Sequence, residues 1–402
     1  MRKSPKAKGE KPAYTKAQLA LVVAFCAAIG VLFALLMILP KHAGEVSQLE
    51  FRALAEYPYK SAGKVKSASA IAEDVVRGKF SANTDSFLED HFPGRTFFIA
   101  LNSYYLRLSG RNADQSIVWG KNGRLIDEPL VPDETKLSEN AAKLEEFASE
   151  NGLESAWVFI PSAAIVCEDD LPLLHLDCPD YGMIASLAEQ STAFVPDVAA
   201  IFKSQAEPGD MLYHTDHHWT MEGAYAVYSY LCSDLGVAPT PKEAFTVEDY
   251  EFYGSFYREA GLWLTRPDRL EVWRNPALDN AAVTVGWGES AVTHTGVYDP
   301  EKLKEGETDK YAAYVYSNNG VTVIENPEAE GGSILIVKDS FGNSIAPLLA
   351  TNYSTVVMID TRYYRGVAVK PSELIAQYGI ERMVVVMGAD SVNSECELVY
   401  LR

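Results

Sequence analysis

One stretch of the sequence constrains the fold more than any other. Residues 19–39 read LALVVAFCAAIGVLFALLMIL without a polar interruption, and Pro40 and Lys41 follow. A helix needs about 20 consecutive apolar residues to cross a bilayer, so this stretch is long enough to span a membrane once. A soluble helix of this length carries a polar face, which this stretch lacks. No second stretch of the kind follows, and we expect a single transmembrane anchor at 17–40.

The charges on either side of the anchor predict its orientation. Residues 1–16 carry six basic side chains and one acid, a local charge of +5, and subtracting it from the net charge of −20 leaves −25 for the rest. Basic residues flank the cytoplasmic end of a membrane helix. We therefore expect a cytoplasmic tail at 1–16 and an extracytoplasmic domain in a single-pass protein of the cell membrane. The alternative is a cleaved signal peptide, whose apolar region is about 7 to 15 residues and precedes a small-residue cleavage site.

The net charge also excludes a class of function. A chain at −20, with no basic stripe beyond its N-terminus, repels polyphosphate, and this excludes a nucleic-acid binder. None of the five cysteines has metal-site spacing. Cys167 and Cys178 bracket a short loop and could pair in an oxidising compartment; the alternative is that they are buried small hydrophobic residues.

Beyond the anchor, short apolar runs alternate with segments of helical periodicity. Continuous runs of four or five apolar residues are typical of strands buried on both faces. Strands that alternate with helices predict a parallel sheet covered by helices, which is an α/β fold. The predicted strands are 156–160, 334–337, 355–359 and 383–387, and the predicted helices are 137–148, about 344–351 and 371–378.

Composition divides the rest of the chain. Residues 41–85 mix charge, Ala and Ser without sustained periodicity, so we expect a tether there. Residues 86–402 contain the α/β pattern and form the expected extracytoplasmic domain. Within it, about 240–332 is rich in aromatic residues, Gly and Thr, which predicts a β-rich insertion. A Gly-Lys-Asn-Gly turn at 120–123 predicts a hairpin.

The first concentration of reactive side chains is His214-Thr-Asp-His-His-Trp-Thr220. In an extended segment, residues 214, 216 and 218 share one face, so the Asp216 carboxylate lies beside the His218 imidazole and can orient it. Thr220 then caps a helix. Two alternatives stay open: histidines that are merely packed or exposed, and a metal site formed by His214, Asp216 and His218, for which no further ligands are evident.

The second concentration follows the apolar run at 334–337. A buried strand that enters a tight turn and then a helix exposes Ser340 at the carboxyl edge of the sheet, as in a nucleophile elbow. Backbone N–H groups at the helix start, those of Phe341 and Gly342, point to the same place and can stabilise an oxyanion. The alternative is that Asp339 or Ser340 only caps the helix. A serine nucleophile needs a base and an orienting carboxylate, and the Asp216-x-His218 pair supplies both.

Several phrases together resemble a known family. They are Asp90-His-Phe-Pro-Gly-Arg95, Gly120-Lys-Asn-Gly123, Asp216-His-His-Trp219, Phe252-Tyr-Gly-Ser-Phe-Tyr257 and Lys338-Asp-Ser-Phe-Gly-Asn-Ser344. In this order, over roughly residues 50 to 400, they look like the bacterial DHHW family, which is similar to the SGNH-hydrolase-like proteins of alginate O-acetylation. The resemblance implies an SGNH-like three-layer α/β/α domain with a triad of Asp216, His218 and Ser340.

The same resemblance implies an activity. It implies acetyl transfer onto, or removal from, an exported polysaccharide, with a membrane-bound O-acyltransferase as a possible acetyl supplier. Arg362 and Tyr363 resemble a polar pair in relatives that assists oxyanion or substrate binding; otherwise Tyr363 packs and Arg362 is a surface charge. We expect no cofactor and no metal.

Three hypotheses for function follow. The first is a membrane-anchored, serine-dependent O-acetyltransferase or acetylesterase that acts on cell-surface polysaccharide. The second is a non-catalytic scaffold that binds glycan or an assembly partner through its aromatic, β-rich insertion. The third is a metal-dependent hydrolase at 214–218. The sequence does not identify the polysaccharide, the acetyl donor or the acceptor.

Overall fold

The computed structural model describes residues 15–45, 47, 53–114, 116–262, 264–394 and 398–401. Most of the predicted cytoplasmic tail and Cys396 lie outside the described residues. The chain forms two compact units, Met1–Leu101 and Asn102–Arg402, and each is described by itself. The predicted division into tail, anchor, tether and domain stays a prediction.

The regular elements are numbered in chain order. The α-helices are α1 (Lys16–Ile38), α2 (Ala68–Val76), α3 (Lys79–Asp90), α4 (Arg95–Leu108), α5 (Glu134–Glu150), α6 (Ala163–Val166), α7 (Asp180–Glu189), α8 (Val198–Lys203), α9 (Met221–Leu235), α10 (Ser255–Ala260), α11 (Pro276–Asn280), α12 (Gly342–Leu349), α13 (Pro371–Tyr378) and α14 (Ala389–Val392). The strands are β1 (Lys60–Ser61), β2 (Lys64–Val65), β3 (Ala113–Asp114), β4 (Ile117–Trp119), β5 (Leu125–Asp127), β6 (Glu154–Ile160), β7 (Thr246–Phe252), β8 (Asp268–Arg274), β9 (Ala282–Val285), β10 (Val292–Thr295), β11 (Val321–Glu325), β12 (Gly331–Lys338), β13 (Tyr353–Asp360) and β14 (Arg382–Gly388).

Helix α1 is built from the long apolar stretch. Thr15 begins it with a capping box, in which its hydroxyl accepts from the Gln18 N–H and the Gln18 side chain accepts from the Thr15 N–H. Pro40 follows the end of the helix. Among the described residues α1 is the helix that is long and apolar enough to cross a membrane. The predicted N-terminal apolar helix is thereby confirmed, whereas its insertion and orientation stay predictions.

The segment predicted as a tether contains regular structure. Helix α2, most of α3 and the β1–β2 ladder lie within 41–85. Ser67 caps α2 by accepting from the Ala70 N–H. Neither α2 nor α3 contains a fully buried residue. Neither helix is among those predicted from the sequence.

The second unit contains a central sheet in the order β10-β9-β11-β13-β12-β14-β6. The four strands β13, β12, β14 and β6 are parallel to one another. They coincide with the four predicted strands, which confirms the parallel sheet. The strands β9, β10 and β11 pair antiparallel and extend the sheet at one edge. Part of the β-rich segment at 240–332 therefore belongs to the main sheet.

Both faces of the sheet are buried. Along β12, Ile334 and Ile336 contact one apolar core together with residues of α9 and α12, whereas Leu335 and Val337 contact the other together with residues of α5 and α13. Successive side chains of a strand point to opposite faces, so a strand of continuous apolar residues fills two cores. The result is the predicted three-layer α/β/α arrangement.

Two local predictions in this unit can also be compared with the structure. The strands β4 and β5 form the predicted antiparallel hairpin around 120–123. The Cys167 and Cys178 side chains are free thiols, and no disulfide joins them. The Cys178 thiol donates a hydrogen bond to Asp180 Oδ1 at 3.1 Å, and Cys167 is buried, in line with the alternative reading of these residues.

Candidate active site

The His-rich segment folds back on itself. Leu212 and Trp219 pair as an antiparallel bridge, and the Tyr213 N–H donates to the His218 carbonyl, so residues 214–217 form the tip of a tight loop. The predicted extended conformation is therefore wrong, because the bridge closes the chain over this short distance. The loop still brings the Asp216 carboxylate to His218, and Thr220 caps α9 as predicted.

Two neighbours hold this loop in place. The Asp268 carboxylate accepts hydrogen bonds from the His214 N–H at 2.9 Å and from the Thr215 N–H at 2.7 Å, and also from the Thr215 hydroxyl. On the other side lies Gly254, where an added Cβ would be 2.1 Å from the Asp216 Cβ. Real atoms do not approach so closely, and only glycine permits this contact.

Ser340 lies in the turn between β12 and α12, at the carboxyl edge of the parallel strands. The preceding Asp339 is buried, and its carboxylate accepts from the Phe341 N–H (2.9 Å), the Gly388 N–H (2.8 Å) and the Ser391 hydroxyl (2.6 Å). Asp339 thus ties the turn to the end of β14. The Ser340 side chain itself is half-buried.

The structure brings the three predicted residues together. The distance from His218 Nε2 to Ser340 Oγ is 2.7 Å, and the distance from His218 Nδ1 to Asp216 Oδ1 is 2.5 Å. Asp216 Oδ1 also accepts from the His218 N–H, and Asp216 Oδ2 accepts from the Ser255 N–H at 2.7 Å. With Asp216 ionised, His218 carries its proton on Nδ1 and offers Nε2 as the acceptor for the serine hydroxyl.

Burial and charge set the protonation states of this pair. Burial lowers the pKa of His218 to about 4, helped by the neighbouring His217 and opposed by Asp216. For Asp216, burial alone would raise the pKa. Electrostatic interaction with His217 and His218, with the hydrogen bonds from His218 and Ser255, outweighs burial and holds that pKa well below its usual range. Near neutral pH the pair is a neutral imidazole beside a carboxylate.

Aromatic rings enclose the His218 imidazole. Tyr311 stacks on it with ring centroids 3.7 Å apart and an interplanar angle of 13°. The Tyr311 hydroxyl donates to the Ser340 carbonyl at 3.3 Å. Phe341 meets the imidazole edge-on at 5.0 Å, and His217 lies at 3.8 Å. Sequence reasoning missed Tyr311, because nothing in its local sequence marks a ring that packs against a residue 93 positions earlier.

A cavity of about 180 Å³ is lined by two residues that contact the His218 imidazole. These are His217 and Phe341, and Asp127 and Asp390 line it as well. Burial raises the pKa of Asp127 to about 6, against a hydrogen bond from the Ser162 hydroxyl that lowers it. His217 and Phe341 connect the cavity to His218, whereas the described lining does not include His218 or Ser340.

The predicted oxyanion and substrate residues have other partners in this structure. The Phe341 N–H donates to Asp339 Oδ1, and the Gly342 N–H donates to the Asp339 carbonyl at 3.3 Å. Arg362 makes a two-point contact with Asp360, at 2.9 and 2.7 Å, and its guanidinium lies over the exposed Tyr363 ring. Among the hydrogen bonds of the described residues, none engages the Ser340 N–H. The roles of these four residues stay predictions.

For the alternative of a metal site, the possible ligands that lie close together in the structure differ from the predicted set. Asp216, His217 and His218 are the residues whose ligand atoms converge, within 4.8 Å of one another. His214 instead contacts Arg124 and Asp268. Both nitrogens of His218 are engaged, by Asp216 and Ser340, so a metal ion would have to displace one of these partners.

Comparison with known proteins agrees with this fold. Residues 129–262 match the family model described as "SGNH hydrolase-like domain, acetyltransferase AlgX". The layers and the sheet define a three-layer α/β protein, and the match shows that part of it is similar to SGNH-hydrolase-like domains. Residues 196–359 match the family model described as "DHHW protein", and this confirms the predicted resemblance to the DHHW family. No curated protein matches the chain in sequence.

Solved structures share the fold. A DHHW family protein from Eubacterium siraeum is 18% identical with a TM-score of 0.57, and the match covers 71% of this chain and 98% of that one. Bacillus cereus PatB1 is 21% identical with a TM-score of 0.57, over 69% of this chain and 97% of that one. The structure of PatB1 with a sulfonyl adduct is 20% identical with a TM-score of 0.59, and the match covers 71% of this chain and 98% of that one. At these identities the likeness establishes the fold alone.

Proposed function

We propose that the chain is a membrane-anchored, extracytoplasmic O-acetyltransferase or acetylesterase that acts on cell-surface or exported polysaccharide. The observation that carries the proposal is the continuous chain of hydrogen bonds from Asp216 through His218 to Ser340, with steps of 2.5 and 2.7 Å. Both distances lie within the reach needed for proton transfer before any substrate is bound. A neutral, oriented imidazole beside a serine hydroxyl is the arrangement that activates a serine nucleophile.

The reaction divides into two half-reactions. The Ser340 oxygen attacks the acetyl carbonyl of the donor while His218 Nε2 takes the hydroxyl proton, and Asp216 stabilises the imidazolium that forms. The tetrahedral intermediate then expels the donor's leaving group, which takes the proton from His218, and an acetyl-serine remains. A sugar hydroxyl or water next gives its proton to His218 and attacks the acetyl group, which releases product and restores Ser340. With a sugar hydroxyl as the acceptor the reaction is acetyl transfer, and with water it is hydrolysis.

The negative charge that develops on the carbonyl oxygen in the tetrahedral intermediate must be stabilised by hydrogen-bond donors. The Ser340 N–H lies on the residue that is acylated and has no acceptor among the described hydrogen bonds. It can therefore donate to this oxygen without breaking an existing hydrogen bond. The Phe341 and Gly342 N–H groups would have to exchange their bonds to Asp339 to join it. Arg362 and Tyr363 are proposed to contact substrate rather than the oxyanion.

Substrate and location are supported by separate observations. The match to a family model that is described as an acetyltransferase supports acetyl as the transferred group, and the predicted resemblance to proteins of alginate O-acetylation supports a polysaccharide acceptor. Helix α1 supports anchoring in the membrane, with the −25 part of the chain outside. A membrane-bound O-acyltransferase is the proposed acetyl supplier.

Hydrolysis of an activated ester such as 4-nitrophenyl acetate tests the proposal. Ser340→Ala should lower the rate at least about a thousandfold, because it removes the nucleophile. Ser290→Ala, which changes an exposed serine, is the matched control and should leave the rate unchanged. PatB1 was solved with a sulfonyl adduct, so a sulfonyl fluoride is a suitable second probe, and it should label wild type but not Ser340→Ala.

The same assay separates the other candidates. A non-catalytic scaffold would be neither labelled nor active. If the rate of Ser340→Ala stays within a few fold of the wild-type rate, Ser340 is not the nucleophile. A metal-dependent hydrolase would lose its activity in a chelator. A serine enzyme keeps its activity there.

A further inference from the structure

A second, larger cleft is lined in part by the loop that carries Asp216 and His218. Its volume is about 750 Å³, enough for a sugar residue or two, and it lies entirely within the second unit. His214, in that loop, and Asp268 form part of its lining. Asp268 is the residue that holds the backbone of His214 and Thr215. The cleft and the candidate active site therefore share one structural element.

The rim of the cleft is positively charged. Arg107 and Arg266 line it, both are exposed, and neither has a carboxylate partner among the described residues. Asp268 also lines the cleft, and its carboxylate is held by three hydrogen bonds from His214 and Thr215 rather than by an ion pair with either arginine. By contrast Arg269, only three residues from Arg266, is paired with Asp249. Two unpaired arginines on one cleft of a chain with net charge −20 favour an anionic ligand.

Part of the lining of the cleft is apolar. Leu108 and Leu264 line it and are 88% and 85% exposed, and Tyr104 and Pro267 lie beside them. The Leu264 N–H donates to the Tyr104 hydroxyl at 2.8 Å, and this bond fixes the ring as a wall. A pyranose presents an apolar C–H face and a polar rim, so it fits a surface of aromatic and aliphatic side chains edged by arginines.

We propose that this cleft binds an anionic saccharide, with its carboxylate or phosphate group paired to Arg107 and Arg266 and its sugar ring on the Tyr104, Leu108 and Leu264 surface. The saccharide part of this inference rests on the proposed function, whereas the anionic part rests on the two arginines. A polymer bound here lies beside His214, in the loop that also carries His218. The cleft thus selects polysaccharides that carry acidic groups.

Binding is measured by isothermal titration on the whole chain in nanodiscs of zwitterionic lipid. The probes are trigalacturonate, which carries carboxylates, a glycerol phosphate trimer, which carries phosphates, and neutral maltotriose. We expect one of the two anionic probes to bind and maltotriose to bind at least about tenfold more weakly. Arg107→Gln and Arg266→Gln should each weaken the anionic probe by about tenfold or more, the effect of losing a charge-assisted contact.

Two controls make the outcome decisive. Arg269→Gln changes a paired arginine nearby and should leave affinity unchanged. Ser340→Ala should bind as wild type does, so failure of the proposed acetyl chemistry leaves this result intact. Three results would overturn the proposal. They are no binding of either anionic probe, equal binding of the neutral probe, and binding that Arg107→Gln and Arg266→Gln leave unchanged.

Discussion

At the scale of single residues, the protonation of His218 decides what the site can do. The imidazole is buried, and burial favours its uncharged form, whereas the Asp216 carboxylate favours the charged form. Burial prevails and the pKa falls to about 4. A base with so low a pKa is unprotonated over most of the pH range in which proteins are stable, so His218 can accept the proton of the proposed nucleophile even in mildly acidic surroundings.

The pH dependence of ester hydrolysis should reflect this pKa. Because His218 must be neutral to accept the serine proton, we expect kcat/KM to be level from pH 7 downward and to fall only as pH drops through about 4. An unperturbed histidine, with a pKa of about 6.5, would give the fall more than two pH units higher. The measurement is kcat/KM for 4-nitrophenyl acetate between about pH 3.5 and 8, with circular dichroism to establish that the chain stays folded. A midpoint near 6.5 would contradict the assigned environment.

Tyr311 is the residue for which we expect a role beyond packing. Its ring stacks on His218, and a stacked aromatic face stabilises the imidazolium that forms when the serine proton moves. Tyr311→Leu should lower kcat/KM about tenfold or more and shift the acidic limb of the pH profile to lower pH. Tyr311→Phe keeps the ring and loses only the contacts of the hydroxyl to Ser340 and Ser344, so it should retain most activity. Equal losses in the two variants would argue against the stacking role.

At the scale of elements, the position of β12 in the sheet explains the geometry of the site. It lies between β13 and β14, so the turn that follows it is surrounded by the carboxyl ends of parallel strands. Asp339 fixes the turn to the end of β14, and Trp219 donates to the Ser344 hydroxyl of α12 at 2.6 Å. The His218 loop is thus attached to the helix that begins beside Ser340.

The segment before α10 supports the same loop from the other side. Gly254→Ala would place a Cβ 2.1 Å from the Asp216 Cβ, and the loop would have to move. We expect a free energy of unfolding lower by about 1–3 kcal/mol, together with a large loss of esterase activity, because Asp216 would no longer orient His218. Denaturant titration and ester hydrolysis measure the two effects. Gly332→Ala is the control, since an added Cβ there meets nothing within 4 Å, and both quantities should change little. An active Gly254→Ala would show that the contact is dispensable.

At the scale of the whole molecule, charge and hydropathy are separated along the chain. The apolar helix α1 lies between a basic tail and a strongly acidic remainder. This distribution agrees with the predicted orientation, in which the basic tail faces the cytoplasm.

Membrane topology provides the test at this scale. We expect the chain to sediment with membranes, to resist extraction by alkaline carbonate and to be released by detergent. A protease added to intact cells, once the wall is opened, should digest a C-terminal tag and spare an N-terminal one. A shorter chain in the soluble fraction, without the N-terminal tag, would instead identify residues 19–39 as a cleaved signal sequence.

Prediction from sequence succeeded where the signal was local and continuous. The runs at 334–337 and 383–387 were recognisable because a strand buried on both faces is apolar at every position. Helix α13 begins at a proline and ends before Gly379, and its predicted bounds are confirmed. The helices at 68–90 were not predicted. The membership of β9 to β11 in the main sheet depends on partners distant in sequence, so composition alone does not predict it.

The sequence by itself determined which residue types were present and where short-range order would place them: an apolar anchor, four buried strands, an Asp-x-His segment and a serine after a strand. These features depend on neighbours a few positions apart, which hydropathy and turn chemistry predict. Only the tertiary structure decided that His218 and Ser340, 122 positions apart, lie 2.7 Å from each other, that Tyr311 stacks on the imidazole, and that Arg107 and Arg266 border one cleft. Such contacts arise from strand order and layer packing, which the whole chain determines together.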